Sequence, residues 1–195
     1  MADTVYFRFF EERDLDCVYH WMNNSGLNGF GIEPGRKICK DSVQNWIKER
    51  MHDNRFTISW AICSSISDVP IGFINLKEIH YINRTAKVGS FFIAEDISHN
   101  QDIEIEAFSF LLDYTFERLN MQRLTIDIVE GDNYLNKLVS SFMFVREGVL
   151  RQAFFSGGNY KNITVFSLLS PEYFVNKEKE EYSYQSVLNR ICNKD

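Results

Sequence analysis

The sequence predicts a single mixed α/β domain, and three observations support this prediction. The chain has 195 residues, the usual length of one domain. Hydrophobic residues make up 45% and charged residues 25%, which is typical of a globular protein whose core needs no disulfides. The spacing of apolar residues switches between the strand and helix periods in the order β-α-α-β-β-β-α-β-α-β-β, without a linker or an internal repeat.

The first elements are a strand and two helices separated by a long loop. Val5–Phe10 is rich in β-forming residues and predicts a strand. Asp14–Met22 has apolar residues at helical spacing, and Asp14 is placed to cap that helix. Residues 23–40 contain five glycine or proline residues and predict a loop, whereas Asp41–Met51 returns to the helical period.

The middle of the chain predicts a hairpin, a further strand and a long helix. Phe56–Cys63 and Ile71–Ile79 are two strand-like runs separated by a turn. Lys87–Ala94 is a third apolar run with β character, and a helix is predicted from residue 102 or 103 to Leu119. The part that follows predicts a strand, a helix and a second hairpin, in this order: Leu124–Val129, Asn133–Phe144, and Val149–Phe155 with Asn162–Leu169.

Charge and composition exclude several classes of protein. The chain carries 21 Lys and Arg against 27 Asp and Glu, a net charge of −6, and has no basic run, so nucleic acid is not an expected partner. No apolar run approaches the ~18–20 residues of a membrane span, and the first residues lack a signal-peptide pattern. The four cysteines are widely spaced, so we expect reduced thiols, no metal site and a cytoplasmic location.

The most informative region for function is the junction in Val88–Phe116, where a predicted strand enters a loop and the loop enters a helix. The backbone N–H groups at such a helix N-terminus can hold a phosphate. No Ser-His-Asp arrangement, P-loop or His-Glu-x-x-His motif is present, and the four histidines are isolated from one another. The junction is therefore the predicted ligand site.

The order of elements and several local strings resemble the GNAT acetyltransferase superfamily. The resemblance covers about residues 4–170 and is nearest to the ribosomal-protein-alanine N-acetyltransferases and their sugar-nucleotide-modifying relatives. We therefore expect a domain over residues 1–170, with 171–195 as a polar tail or as a terminal helix of the same domain. The main strings that carry the resemblance are Phe9–Leu15, Pro70–Leu76, Ala86–Ile93, Tyr114–Asn120 and Phe144–Arg151.

The resemblance implies a fold and a cosubstrate. The expected fold is a central mixed sheet of about seven strands that is splayed in the middle and flanked by about four helices. In the family, free backbone groups of the strand before the junction pair with the pantetheine of acetyl-CoA, and loop amides hold the pyrophosphate. The positions implied here as acetyl-CoA-binding are Phe92, Ile93, Ala94, His99, Asn100, Gln101, Asp102, Ile103, Glu104 and Asn133.

The pyrophosphate loop departs from the family pattern, which is Arg/Gln-x-x-Gly-x-Gly/Ala. This chain has His99 at the first position and the acids Asp102 and Glu104 at the two small ones, so the loop is degenerate. Carboxylates there add bulk and repel a diphosphate. They also stabilise the first turn of the helix, and at about 100° per residue Asp102 falls on the solvated stripe whereas Glu104 faces the sheet.

The resemblance also indicates where catalytic groups are to be sought. An acceptor ammonium must lose a proton before it attacks a thioester, and Glu78, Glu95 and Asp96 lie at or beyond strand ends near the expected cleft. The family's helix asparagine falls on Asp132 or Asn133. Its tyrosine, seven residues later, is absent, and Ser140 is the nearest group that can give a proton to the thiolate.

The sequence therefore predicts an acetyl-CoA-dependent N-acetyltransferase that acts on a primary amine of a peptide N-terminus, an amino sugar or another small molecule. The alternative is a GNAT-fold protein that has lost acetyl-CoA binding and serves as a binding or regulatory module. Asp102 and Glu104 are the residues that distinguish these two hypotheses. The chain is expected to be a monomer or a homodimer.

Overall fold

The computed structural model describes residues 5–24, 37–51, 55–94 and 101–192. The strands in these ranges are β1 (Val5–Arg8), β2 (Ile58–Ser64), β3 (Pro70–His80), β4 (Thr85–Ile93), β5 (Arg123–Val129), β6 (Val145–Ser156) and β7 (Asn159–Leu169). The α-helices are α1 (Leu15–Asn24), α2 (Lys40–Lys48), α3 (Gln101–Asp113), α4 (Asn133–Ser141), α5 (Ser170–Glu178) and α6 (Tyr184–Cys192).

The seven strands form one mixed sheet in the order β1-β2-β3-β4-β5-β7-β6. β4 and β5 are parallel, whereas β1 with β2, β2 with β3, β5 with β7 and β6 with β7 are antiparallel. The predicted mixed α/β class and the seven-stranded sheet are confirmed. Six α-helices lie in the described ranges rather than about four, because the C-terminal residues are helical.

The pairing of β4 with β5 is short. The parallel ladder joins Thr85–Lys87 to Arg123–Thr125, three residue pairs in all, although β4 has nine residues. On its other side β5 pairs with β7 along all seven of its residues. Both strands lie wholly in the described part of the chain, so the three pairs are the whole ladder. β4 and β5 are therefore not paired along their full length. A full-length ladder would have contradicted the expected splay.

The chain divides into two compact units, Met1–Ile79 with Gly89–Ala107 and His80–Val88 with Phe108–Asp195. In the first unit, aromatic rings from β3, β4, α1, α2 and the segment after β1 pack together. Phe73 lies 6.2, 5.5 and 6.0 Å, between ring centroids, from Phe10, Trp46 and Phe92. Trp21 on α1 lies 5.3 Å from Phe92. Such contacts add about 0.5–1.5 kcal/mol each to area burial, so part of the high aromatic content serves this core.

A buried ion pair joins β1 to the turn before α1. The Arg8 guanidinium donates to both carboxylate oxygens of Asp14 at 2.7 and 2.9 Å. Asp14, the last residue of a 3-10 turn and only 2% exposed, also accepts from the backbone N–H of Glu11 at 2.8 Å. The predicted capping residue therefore does cap a turn, but its larger role is to hold Arg8, which the sequence pattern did not indicate.

The second unit is built around β5, whose residues alternate between buried and half-buried. Its buried side chains are Leu124, Ile126 and Ile128, the pattern of a strand with one face on a core. The full ladder with β7 runs from Arg123 opposite Leu169 to Val129 opposite Ile163. β7 therefore lies between β5 and β6, although β6 comes first along the chain.

Residues 170–192 form two helices, α5 and α6, within the second unit. α5 was not predicted from the sequence because its exposed face is charged. Tyr173 on α5 is buried and stacks on Phe116 at 4.7 Å, and its hydroxyl oxygen lies 2.5 and 2.6 Å from carboxylate oxygens of Asp113 and Glu117, to either of which it can donate. These contacts fix α5 although its composition resembles that of a tail.

None of the helices found in the four described ranges is long and apolar enough to cross a membrane.

Candidate functional site

The second half of β4 is held by the side chain of Asn75 on β3. Asn75 is buried, and its Oδ1 accepts the backbone N–H of Ser90 at 2.8 Å. A Cβ placed on Gly89 would lie 1.9 Å from that Oδ1, so only glycine permits this approach. The amide of Ser90 therefore bonds to a side chain, just after the point where the β4–β5 ladder ends at Lys87.

A second close approach follows on the same strand. A Cβ on Gly72 would lie 2.3 Å from the carbonyl oxygen of Phe92, and the amide of Ala94 donates to the carbonyl of Ile71 at 2.8 Å. The side chain of Phe92 is buried in the aromatic core, and that of Ile93 is also buried. Any contact of these residues with pantetheine would therefore be made by their backbone groups. That contact stays a prediction.

The helix of the junction begins at Gln101 and runs for 13 residues. Glu104 in its first turn is only 4% exposed, and burial raises the pKa of its carboxyl group to about 7. Asp102 is half-buried. The different positions predicted for the two acids are thus confirmed: Glu104 is in the interior, and Asp102 lies nearer to solvent. His99 and Asn100, with Glu95 and Asp96, lie outside the described residues.

Some features of the first turn of α3 favour the binding of a diphosphate, and one feature opposes it. The first amides of any α-helix lack intrahelical acceptors, and the helix end carries about half a positive charge. Glu104 is buried and is protonated over much of the range below pH 7, so its like charge is reduced. Asp102 remains as an opposing carboxylate. The turn therefore fits an anion, with weaker attraction than a glycine-rich loop would give.

The catalytic candidates in the described residues lie on two elements. Glu78, near the end of β3, has a side chain that is 64% exposed, and its φ of 53° marks an irregular point in the strand. Ser140 is half-buried in α4, and Asn133 is the exposed first residue of that helix. Asp132 caps α4 by accepting the N–H of Leu135 at 2.9 Å. The roles of Glu78, Ser140 and Asn133 stay predictions.

The contact between Asn75 and Gly89 was not predicted from the sequence. Its signals were a polar residue within the otherwise apolar run of β3 and a glycine within β4. Neither signal shows which residues face each other across two strands, because that depends on the register of the hairpin.

We expect Gly89→Ala to destabilise the protein by about 2–3 kcal/mol, because the new methyl group displaces Asn75 and leaves the Ser90 amide without its acceptor. Chemical denaturation measures the loss. Gly148→Ala is the matched control, since a Cβ on Gly148 has no atom within 4 Å, and it should change stability by less than about 0.5 kcal/mol. Equal losses in the two variants would show that the close approach at Gly89 is not restrictive.

Comparisons with known proteins identify the family. A family model described as an acetyltransferase (GNAT) domain matches residues 4–139, more than half of the chain. The chain belongs to the GNAT acetyltransferase family. Acetyl-CoA is therefore the acetyl donor, and the reaction is N-acetylation of a primary amine. The ribosomal-protein-alanine type indicated by the sequence is one branch of this family, and that finer assignment stays a prediction.

Individual relatives cover most of the chain at low identity. A spermidine N(1)-acetyltransferase of Vibrio cholerae is 24% identical over 181 residues, which are 91% of this chain and 100% of that protein. The uncharacterized N-acetyltransferase p20 of Bacillus licheniformis is 28% identical over 84% of this chain and 90% of its own length. A crystal structure of the Vibrio cholerae enzyme with CoA and spermine superposes with a TM-score of 0.77 at 23% identity, covering 88% of this chain and 98% of that one.

Proposed function

We propose that the acceptor of this acetyltransferase is a linear polyamine of the spermidine type. The observation that carries the proposal is the match to the spermidine N(1)-acetyltransferase, which spans 91% of this chain and the whole of that enzyme. Polyamines carry primary amines at their ends, in agreement with a small-molecule amine acceptor. A cytoplasmic location, where polyamines and acetyl-CoA are both present, is part of the same proposal.

The charge of the chain agrees with a polycationic acceptor. Acidic residues exceed basic residues by 27 to 21, which gives a net charge of −6. A negative protein attracts a polycation and raises its association rate, and this effect falls with ionic strength. An amino sugar or a peptide N-terminus carries one ammonium group and gains less from the same field.

The reaction needs a base for the acceptor and a proton for the leaving thiolate. Acetyl-CoA supplies the acetyl group as a thioester. Glu78 is the proposed base, because its exposed carboxylate is accessible to an ammonium group or to a relaying water. The deprotonated amine then forms the C–N bond, the C–S bond breaks, and Ser140 is the proposed donor of a proton to the thiolate. Glu95, outside the described residues, is the second candidate base.

One structural observation favours the alternative function, a GNAT fold without acetyl-CoA. Both acids that replace the small loop residues lie in the first turn of α3, where the family holds the pyrophosphate. Burial of Glu104 weakens this argument, since a protonated carboxyl does not repel a phosphate. Asp102 remains in the same turn as a half-buried acid, so we expect acetyl-CoA to bind weakly at neutral pH.

A substrate panel tests the proposed function. The full chain is incubated with acetyl-CoA and either spermidine, spermine, glucosamine or an alanine-terminated peptide, and thiol release is measured at low and at physiological ionic strength. We expect kcat/KM for spermidine to exceed that for glucosamine and for the peptide by at least 100-fold, with the advantage shrinking as salt rises.

Two outcomes would contradict the proposal. Preference for the peptide would support the ribosomal-protein type, and preference for glucosamine would support an amino-sugar acceptor. Calorimetric titration with acetyl-CoA alone is the control for the cosubstrate. No heat at millimolar acetyl-CoA would favour the binding or regulatory module.

A further inference from the structure

The C-terminal helix α6 packs against α4, the helix that carries Ser140. Both helices belong to the second unit. The buried residues of α6 are Val187 and Ile191, and Arg190 beside them reaches the end of α4. There the Nε of Arg190 donates to the carbonyl oxygen of Ser141 at 2.7 Å. α6 therefore holds the residue that directly follows Ser140.

The end of α4 has an unfavourable backbone conformation. The last carbonyl groups of an α-helix lack intrahelical donors, and a glycine in the left-handed conformation commonly closes the helix at this point. In α4 the corresponding residue is Met143, whose φ is 64°. A side chain disfavours that conformation, so the helix end gains from an outside contact. The Arg190 guanidinium supplies a donor to the Ser141 carbonyl and a positive charge at the negative end of the helix.

The guanidinium of Arg190 is itself fixed by a second residue. Nη1 donates to a carboxylate oxygen of Glu181 at 2.6 Å, and Nη2 donates to the backbone carbonyl of the same residue. Each of the three guanidinium nitrogens thus has an acceptor, and the side chain is only 21% exposed. A planar group held by three acceptors has little freedom to rotate. The Ser141 carbonyl is therefore bound to a fixed group rather than to a mobile surface side chain.

A row of stacked aromatic rings joins the end of α4 to the same C-terminal segment. Phe142, which follows α4, stacks on Phe108 of α3 at 5.5 Å and on Tyr182 at 6.3 Å between ring centroids. Tyr182 stacks in turn on Tyr173 of α5 at 5.4 Å. Phe142 is fully buried, so its ring cannot shift unless its neighbours move. Residues of the C-terminal segment therefore hold the end of α4 both by hydrogen bonding and by packing.

We propose that Arg190 is a positioning residue for acetyl transfer, because its bond to the Ser141 carbonyl holds Ser140 where it can give a proton to the leaving thiolate. The inference rests on the role proposed above for Ser140. Ser140 is half-buried and lies one residue from the fixed carbonyl, so a shift of the last turn of α4 moves its hydroxyl. A displacement of about 1 Å can cost about 100-fold in rate. Arg190 acts through α4 and takes no part in the bond changes.

The test compares Arg190→Met with the matched control Arg123→Met. Arg123 also belongs to the second unit, has a 31% exposed side chain and pairs with a carboxylate, that of Glu147, but it lies on β5. Rates are measured with the amine that the substrate panel shows to be preferred. We expect Arg190→Met to lower kcat by about 10- to 100-fold and to change KM for the amine by less than about 3-fold, because proton transfer is affected and amine binding is not. The control should keep kcat within about 2-fold of the wild type.

A double-mutant cycle determines whether Arg190 acts through Ser140. If it does, adding Arg190→Met to Ser140→Ala should lower kcat by less than about 2-fold, because the hydroxyl that would be displaced is already absent. Arg190→Lys should recover part of the rate lost in Arg190→Met, since an ammonium group can still donate to the Ser141 carbonyl. Circular dichroism and the melting temperature report whether each variant is folded at the assay temperature.

Three results would overturn the inference while the proposed function stands: an unchanged kcat in Arg190→Met, an equal loss in Arg123→Met, or independent losses that multiply in the double variant. Wild-type activity of Ser140→Ala would refute the role of Ser140, and the inference with it. A wild type that acetylates no amine would refute the proposed function and the catalytic role of Arg190 together.

Hydrogen exchange gives a second measurement that does not depend on catalysis. Protection of the α4 amides should fall in Arg190→Met and should stay at the wild-type level in Arg123→Met, because only the first substitution removes a contact to the end of α4. Equal protection of α4 in the two variants would show that Arg190 does not hold this helix.

Discussion

Asp14→Ala is expected to lower the free energy of unfolding by about 3–5 kcal/mol. The substitution removes both short hydrogen bonds to Arg8 and also the acceptor of the Glu11 amide. Arg8 then keeps a hydrogen bond to the carbonyl oxygen of Phe9 at 3.0 Å and a longer contact to Asp68, whose carboxylate lies 3.6 Å from its Nε. A largely buried guanidinium without a close carboxylate costs far more than an exposed one, because water no longer compensates the charge.

Asp16→Ala is the control for this loss. Asp16 also pairs with a basic residue, Lys40, at 2.7 Å, but its side chain is 83% exposed. Exposed ion pairs contribute about 0–1 kcal/mol, so the control should lose no more than that. Urea denaturation at pH 7 measures both variants. Equal losses of unfolding free energy in the two variants would show that the buried ion pair of Asp14 stabilises the fold no more than an exposed pair does.

Glu104→Gln is expected to stabilise the protein by about 3 kcal/mol at pH 8 and to leave its stability nearly unchanged at pH 4. Burial raises the pKa of Glu104 from 4.5 to about 7 in the folded state. Between these two pH values the folded protein holds a proton that the unfolded chain has released, so wild-type stability falls as the pH rises through this window. The size follows from about 1.36 kcal/mol per pKa unit. Glutamine has no such proton, and the variant lacks this dependence.

The measurement is the free energy of unfolding of both proteins from pH 4 to pH 8. Asp102→Asn is the matched control, because it removes a carboxylate from the same helical turn at a half-buried position. The control should change the free energy of unfolding by about 1 kcal/mol or less, which is the usual contribution of a charged side chain at a helix end. Parallel pH profiles of the wild type and Glu104→Gln would show that Glu104 is not held in its neutral form.

Much of the fold could be predicted from the sequence because most of its elements have clear periods. The sequence pattern predicted β5 and a long helix that includes α3, both near their observed positions. α5 was missed because its helix depends on Tyr173, whose buried contacts with Phe116 and Asp113 join residues far apart in the chain. Local composition carries no information on such contacts.

The candidate site was less predictable than the fold. The interior position of Glu104 was predicted correctly, because helical geometry fixes which residues share a face. The contact of Asn75 with Gly89 could not be foreseen in the same way, since it depends on strand register and on a side chain that bonds to the backbone. Asp14 shows the same limit: its position predicted a cap, but its burial beside Arg8 depends on how β1 meets the turn.

The position of β7 between β5 and β6 has a consequence for the protein during its synthesis. β5 emerges from the ribosome well before its neighbour, because residues 130–162 separate it from the first residue of β7 that pairs with it. At ~5–20 residues per second this interval lasts roughly 2–7 s. During that time Leu124, Ile126 and Ile128 belong to a nascent strand whose β7 edge is open, so translation speed over residues 130–162 sets how long the growing chain can be captured by a chaperone or by another unfinished chain.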